Sequence, residues 1–287
     1  MKNTFVRILA LALIWVLALS VFVSCGGSNE TEAESETEET VEDTAYSLLA
    51  AATEKLEKQS SYEMKSTMTM NIVMDGTTME IPMEIHIVAD SLDTDKPRML
   101  MEMGMTMMEQ DMDITVYDES TGIYYIVYAM AGTEMKMQTS DKEIADSMGN
   151  SDAYDFVSVI PENVLENTEI KTEENGLRSI SVALDSETFN ELFDGVVGEV
   201  SGSAAGDTEV SSMTISNANV TYRFDAAGNI VSGEMSFDIQ LVMEYMGMEM
   251  AATVGATASF EYTNPGATVT VTPPEGYLEF PNSDTLQ

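Results

Sequence analysis

Met99, Met101, Met103, Met105 and Met107 stand at every second position of one short run, and thirteen of the chain's 24 methionines fall within residues 62–113. Thioether sulfur is soft and its side chain is unbranched. Two chemistries follow: ligation of a soft ion such as Cu(I), or a flexible apolar wall that repacks around a hydrophobic molecule. Residues two apart on a strand share a face but are held about 7 Å apart by the pleat. Sulfurs that neighbour one another along a strand therefore converge on one ion only by bending toward it. The pattern favours a core or cavity wall, and no metal and no cofactor are expected.

His86 is the only histidine. It falls on the face opposite Ile85 and Ile87, beside Glu84, and reads as a surface histidine near a carboxylate. A lone histidine makes no catalytic triad without a nucleophile, and neither Gly-x-Ser-x-Gly nor Ser-x-x-Lys follows Cys25. With fifty carboxylates in the chain, no glycosidase-type pair can be singled out. Asp90, Asp93 and Asp95, like Asp111 and Asp113, are close in sequence. They read as solvated faces, with a loosely held Ca²⁺ as the sharper alternative, but no Asp-x-Asp-x-Asp-Gly loop is present. No enzymatic activity is expected.

Cys25 is the single cysteine. Lys2 and Arg7 form a basic n-region, Ile8 to Val23 an apolar h-region, and Phe22-Val23-Ser24-Cys25 has the form of a bacterial lipobox. The expectation is a signal peptide over residues 1–24 and a mature chain that begins with a lipidated, palmitate-bearing Cys25. The protein would then be extracytoplasmic and anchored to the cell membrane through that lipid. The competing reading is an uncleaved membrane helix over Phe5 to Val23, but the stretch ends on Ser-Cys-Gly-Gly rather than on a basic stop-transfer cluster.

Removing residues 1–24 takes away two basic groups and no acidic ones, moving the formal charge from −38 to −40. Such a chain repels nucleic acid, so no nucleic-acid role is expected. It also repels anionic headgroups, which leaves the Cys25 lipid as the membrane contact. With its one cysteine acylated, the mature chain can form no internal disulfide, thiol nucleophile or cysteine zinc site. The core must come from packing alone.

The elements that would position the methionines follow from periodicity. Residues 25–43, rich in Gly, Ser, Thr and Glu, read as a flexible acidic tether. Thr44 opens a helix to about Ser60 with Tyr46, Leu49, Thr53 and Leu56 as its apolar stripe. From Tyr62 the period becomes two. Met64, Met68, Met70, Ile72 and Met74 alternate with polar residues, Asp75-Gly76 turns the chain, and Met79 to Ile87 return. Met99 to Met107 and Met112, Ile114 and Val116 continue the pattern, followed by Ile123 to Tyr128 and a short strand at Met135 and Met137. Ser140 to Glu143 fits a capping box for a short helix carrying Ile144 and Met148, and a looser stretch runs to about Leu165. A strand from Leu177 to Leu184, a helix capped by Ser186 and a mobile loop over 195–212 come next. Val220 to Phe224, Met235 to Met243 and Met248 to Tyr262 close the β-rich part, with Gly247 turning the last hairpin. The hairpins 62–88 and 235–262 look alike, which convergence explains as well as duplication.

A lipobox, an acidic tether, one helix, a run of long antiparallel strands, a mid-chain helical insertion and a last β-meander ending in Val269-Thr270-Val271-Thr272-Pro273-Pro274 together resemble the LolA/LppX/LprG-like bacterial lipoproteins. The resemblance covers most of residues 44–280 and departs from the family in its methionine load. It implies an α+β, β-rich fold: a strongly curved antiparallel sheet, an open half-barrel, packed around a few helices in a single domain over 44–287. It further implies an apolar cavity that binds a hydrophobic small molecule, lipid or acyl chain. The residues expected to line it are Met64, Met68, Met70, Ile72, Met99, Met101, Met103, Met105, Met112, Ile114, Phe237 and Ile239. The alternative is a cell-envelope interaction protein whose core is filled by its own side chains and whose acidic face meets a protein partner that the sequence does not identify.

Overall fold

The structure is a computed structural model that describes residues 44–74, 76–107, 110–140, 160, 162–185, 208–245, 248–263 and 265–283. The expected signal peptide and tether, the helices expected from Ser140 and Ser186, the turn at Gly247 and most of the expected 195–212 loop lie outside the described residues.

The alternating segments form one antiparallel sheet. Its strands are β1 (Ser61–Met74), β2 (Thr77–Asp90), β3 (Arg98–Met107), β4 (Gln110–Asp118), β5 (Tyr124–Met130), β6 (Thr133–Thr139), β7 (Lys171–Thr172), β8 (Arg178–Leu184), β9 (Thr208–Phe224), β10 (Ile230–Tyr245) and β11 (Met248–Tyr262). They are ordered β6-β5-β4-β3-β2-β1-β11-β10-β9-β8-β7, so the sheet is open, with β6 and β7 at its edges. The chain starts mid-sheet, meanders outward to β6, crosses to the far edge and meanders back until β11 pairs with β1. Met70 thereby lies opposite both Ile81 of β2 and Ala256 of β11. Three register shifts between β9 and β10, with Asn217 at φ 55°, bend this part of the sheet. Together these features give an open, half-barrel-like sheet with few helices.

Strict alternation puts the even-numbered residues of β1 and the odd-numbered residues of β2 on one dry face. Helix α1 (Ala45–Glu57) joins the same apolar cluster as that face and meets the sheet at β10. Thr44 accepts from the Ser47 amide while Ser47 Oγ accepts from the Thr44 amide, a reciprocal cap that fixes the helix start. Its buried stripe is Ala45, Leu48, Leu49 and Ala52. This corrects the expected stripe at Tyr46, which is 36% exposed, while Leu49 is buried as expected. Lys55 Nζ donates to the Ala227 carbonyl in the β9–β10 turn and holds the helix over that end. A short helix α2 (Glu162–Glu166) adds Leu165 to the same core.

Three further expectations are corrected. Residues 208–212, expected within a loop, belong to β9 and pair with β10. Val269 to Pro274 form no strand. Instead the Val269 amide donates to Ser61 Oγ and the Val271 amide to Asp90 Oδ2, so the segment is strapped to the sheet by side chains. Asp90, read as part of a solvated acidic face, is buried and paired in two places with Arg98, at 2.8 and 2.6 Å.

Candidate ligand-binding face

All twelve residues expected to line a cavity fall in one contiguous apolar cluster on the inner face of the sheet. Met64, Met68, Met70, Met101, Met103, Met105, Met112, Ile114, Phe237 and Ile239 are buried, while Ile72 and Met99 are half-buried against the same cluster. The sheet places them there by strand parity, and the register brings them together across strands that are distant in sequence. Phe237, for example, lies opposite Ala256, which lies opposite Met70. Burial is uneven along the strands. Met70 and Ile81 are fully enclosed, whereas Ile72, Met74 and Met79, nearer the Gly76 turn, are only partly covered. The turn end is therefore the more open end of this part of the face.

The opposite face carries a polar array. His86 lies between two carboxylates, with Nε2 2.9 Å from Glu63 and Nδ1 3.0 Å from Glu102, as the parity of β1, β2 and β3 requires. Beside it, Thr67, Thr69, Asn219, Thr221, Ser236, Thr257 and Ser259 line a depression of about 320 Å³ together with Glu234. Thr67 and Ser259 hydroxyls meet at 2.9 Å, and Glu234 is held by Arg223 at 3.0 Å. The hydrogen bond that Arg223 donates to Glu234, joined by a second to Glu173, outweighs burial and raises the Arg223 pKa, favouring its charged form. Sequence reasoning took these positions only as the wet side of each strand, and the depression depends on cross-strand register that no single strand encodes. No group of three or more His, Cys, Asp or Glu able to hold a metal lies among the described residues.

A second apolar cluster covers the outer side of β4 and β5, where Tyr117 and Tyr125 pack under Tyr277, Phe280 and Val271 of the C-terminal segment. Tyr125 and Tyr277 rings meet edge to face at 4.7 Å. Tyr117 and Tyr277 hydroxyls both donate to Glu119 at 3.2 Å. Burial, reinforced by the Glu119 charge, pushes both phenols up and keeps them as donors. The sequence signal was the break in alternation at Val116-Tyr117 and at Tyr124-Tyr125-Ile126, since adjacent buried residues mean a strand covered on both faces. The Gln138 amide donates to the Pro281 carbonyl, so the same segment also covers part of the β6 edge.

The fold and the apolar face define the chain as a β-rich protein built on an open antiparallel sheet with one dry side. Residues 44–275 match the family of unknown function DUF6612, and the chain belongs to that family. No curated protein matches the sequence. Among solved structures the chain is similar to a DUF1329 family protein from Desulfovibrio piger, at 8% identity and a TM-score of 0.23, over 78% of this chain and 93% of that one. It is also similar to a β-barrel-like protein of the DUF1849 family from Brucella abortus, at 8% identity and a TM-score of 0.20, over 71% and 98%. A third likeness, to a putative AttH from Nitrosomonas europaea, has 9% identity and a TM-score of 0.18, and covers 72% of this chain and 54% of that one. Among the described residues no helix is long and apolar enough to cross a membrane.

Proposed function

We propose that this protein is a non-enzymatic, extracytoplasmic lipoprotein of LolA/LppX/LprG-like type. It is held to the cell membrane by lipid on Cys25 and binds a hydrophobic molecule, a lipid or acyl chain, against its methionine-lined inner face. One observation carries the reading. Buried apolar residues from eight strands form one continuous face, while the described helices that cover it are a 13-residue and a five-residue segment. A wall of this breadth, rich in adaptable thioethers and less covered toward the turn end, suits an elongated apolar guest that enters beside Ile72, Met74 and Met79.

The second reading is a cell-envelope interaction protein with a filled core. What favours it is the burial of most of the wall by the protein's own atoms. Titration with a fluorescent fatty acid separates the two. The carrier reading expects saturable binding at micromolar concentration, weakened by Met70→Trp or Met103→Trp, with the new indole reporting the guest. Absence of saturable binding in a folded protein favours the filled core. The anchor is tested separately: Cys25→Ala should abolish lipidation and detergent-phase partitioning, and unchanged partitioning contradicts it.

A further inference from the structure

The register of the sheet changes the metal argument made from the sequence. Along one strand, methionines are too far apart to share an ion, but across strands they are direct neighbours. One methionine from each of five consecutive strands falls in a single row: Met68 lies opposite Met83, Met83 opposite Met105, Met105 opposite Met112 and Met112 opposite Met130. Directly opposed residues have Cβ atoms about 4.5–5.5 Å apart. With three rotatable bonds each, adjacent thioethers at that spacing can turn their sulfurs onto a common point.

The row is not a by-product of methionine abundance. In the next row Met103 stands between Ile85 and Ile114, and in the one beyond, Ile87 separates Met64 from Met101. The first four members of the row are buried. Met130, at the end nearest the β5–β6 turn, is half-buried, and its sulfur accepts from the Tyr128 hydroxyl at 3.1 Å. The file thus runs from a partly open end to the middle of the sheet.

From this geometry we infer that the methionine row Met68–Met83–Met105–Met112–Met130 is a binding site for a soft monovalent ion, Cu(I) or its analogue Ag(I). Neutral sulfur ligands suit such an ion and reject Ca²⁺ and Mg²⁺, which require oxygen. A formal charge of −38 supplies the long-range field that draws a cation toward the chain. Thioethers need not lose a proton to ligate, unlike thiols and imidazoles, so uptake is independent of pH. The site stands apart from the lipid-binding reading, which needs only the apolar character of the same wall.

Ag(I) is the direct probe because it needs no reductant. Native mass spectrometry and chloride-free calorimetric titration of the full chain should show retention of silver with unchanged affinity between about pH 5 and 8, the range in which histidine titrates. Leucine keeps the shape and apolarity of methionine but removes the ligand atom, so the Met68→Leu, Met83→Leu, Met105→Leu triple variant should keep its melting temperature within a few degrees. It should lose affinity by more than the roughly tenfold typical of an outer-shell partner. Met135→Leu, which removes an exposed thioether outside the row (51% exposed), should leave silver binding as it was. Three results overturn the assignment: no silver retained by the wild type, equal affinity in the folded triple variant, or binding that disappears at low pH and with His86→Gln. The last would place the ion at the His86 carboxylates instead.

Discussion

The two wings of the sheet bury their inner faces equally well with different chemistry. In β1 to β4 about half of the buried apolar side chains are methionine, with isoleucine the next commonest. Among the side chains described in β8 to β11 they are branched, aromatic or alanine, with Val182, Ile215, Tyr222, Phe224, Phe237, Val254, Phe260 and Tyr262 beside Ala252, Ala256 and Ala258, and with Met235 the one buried methionine. Rings in the second wing interlock, Phe260 meeting Tyr222 at 6.3 Å and Tyr262 at 5.7 Å, with Tyr262 reaching across to Tyr62 at 5.9 Å. Gly233 leaves the space that Phe260 occupies. A Cβ there would run into the Phe260 ring and lie 3.0 Å from the Thr221 carbonyl oxygen. Interlocked rings specify one packing, whereas unbranched thioethers tolerate several. The comparison assigns rigidity to one wing and adaptability to the other.

The largest expected effect tests the rigid wing. Phe260→Ala should destabilise the fold by about 3–5 kcal/mol in denaturant titration, as for other buried aromatics. A cost under about 1 kcal/mol would mean that the rings there are no better specified than the methionines.

Next comes the strap that closes the outer side of the methionine wing. Asp90→Asn should cost roughly 2–3 kcal/mol at neutral pH, because it breaks charged hydrogen bonds to Arg98 and Val271 at a site where Arg98 stays partly solvated. Burial pushes the Asp90 carboxyl up, but the Arg98 guanidinium, the Val271 amide and the Ser91 hydroxyl outweigh it and hold Asp90 below the usual aspartate range. A carboxylate depressed in the folded state contributes its full stability above the unfolded value of about 3.9, and loses it as pH falls through the lower folded value. The stability gap between the wild type and Asp90→Asn should therefore begin to narrow as pH falls below about 4 and close only below the depressed folded value. A gap that stays constant as the pH falls further would remove the ion pair from the account.

Gly233→Ala should cost about 1–3 kcal/mol by overpacking against Phe260, and combining it with Phe260→Leu should recover part of that loss. Purely additive costs would show that the glycine is required for another reason. The smallest effect belongs to the adaptable wing: Met101→Leu and Met103→Leu should each cost less than about 1.5 kcal/mol, as volume-conserving swaps do. Peroxide should oxidise Met101, Met103 and Met105 more slowly than Met135. Equal oxidation rates would contradict their burial.

The adaptable wing was the more legible of the two in the sequence. Many of its outer positions are Lys, Thr, Glu and Asn, so the period of two is clean, and the twelve residues expected to line a cavity all lie in the inner apolar cluster. The first half of β9 could not be read, because Thr208 to Ser212 become a strand only through the ladder with β10. Val269 to Pro274 alternate like a strand but bond to Ser61 and Asp90 side chains, a choice fixed by partners nearly two hundred residues away in sequence. The α1 stripe differs from its apolar period at Tyr46, which is exposed, and adds Ala45, Leu48 and Ala52 around the buried Leu49. Within the candidate site, the face could be read and the row could not: that Met68 meets Met83, which meets Met105, is a property of register, and register is set by turns and neighbours outside any one strand.

The claim at the centre of this account is that the methionine-lined face accommodates an apolar guest. Native mass spectrometry of the protein purified from its own membranes tests it most directly, since a guest held in the cell should survive gentle extraction. The account predicts a folded population carrying one acyl-chain-bearing molecule beyond the anchor proposed on Cys25, displaced by excess fatty acid and diminished in Met103→Trp. A folded protein carrying no such non-covalent molecule, with no added fatty acid retained, would contradict it.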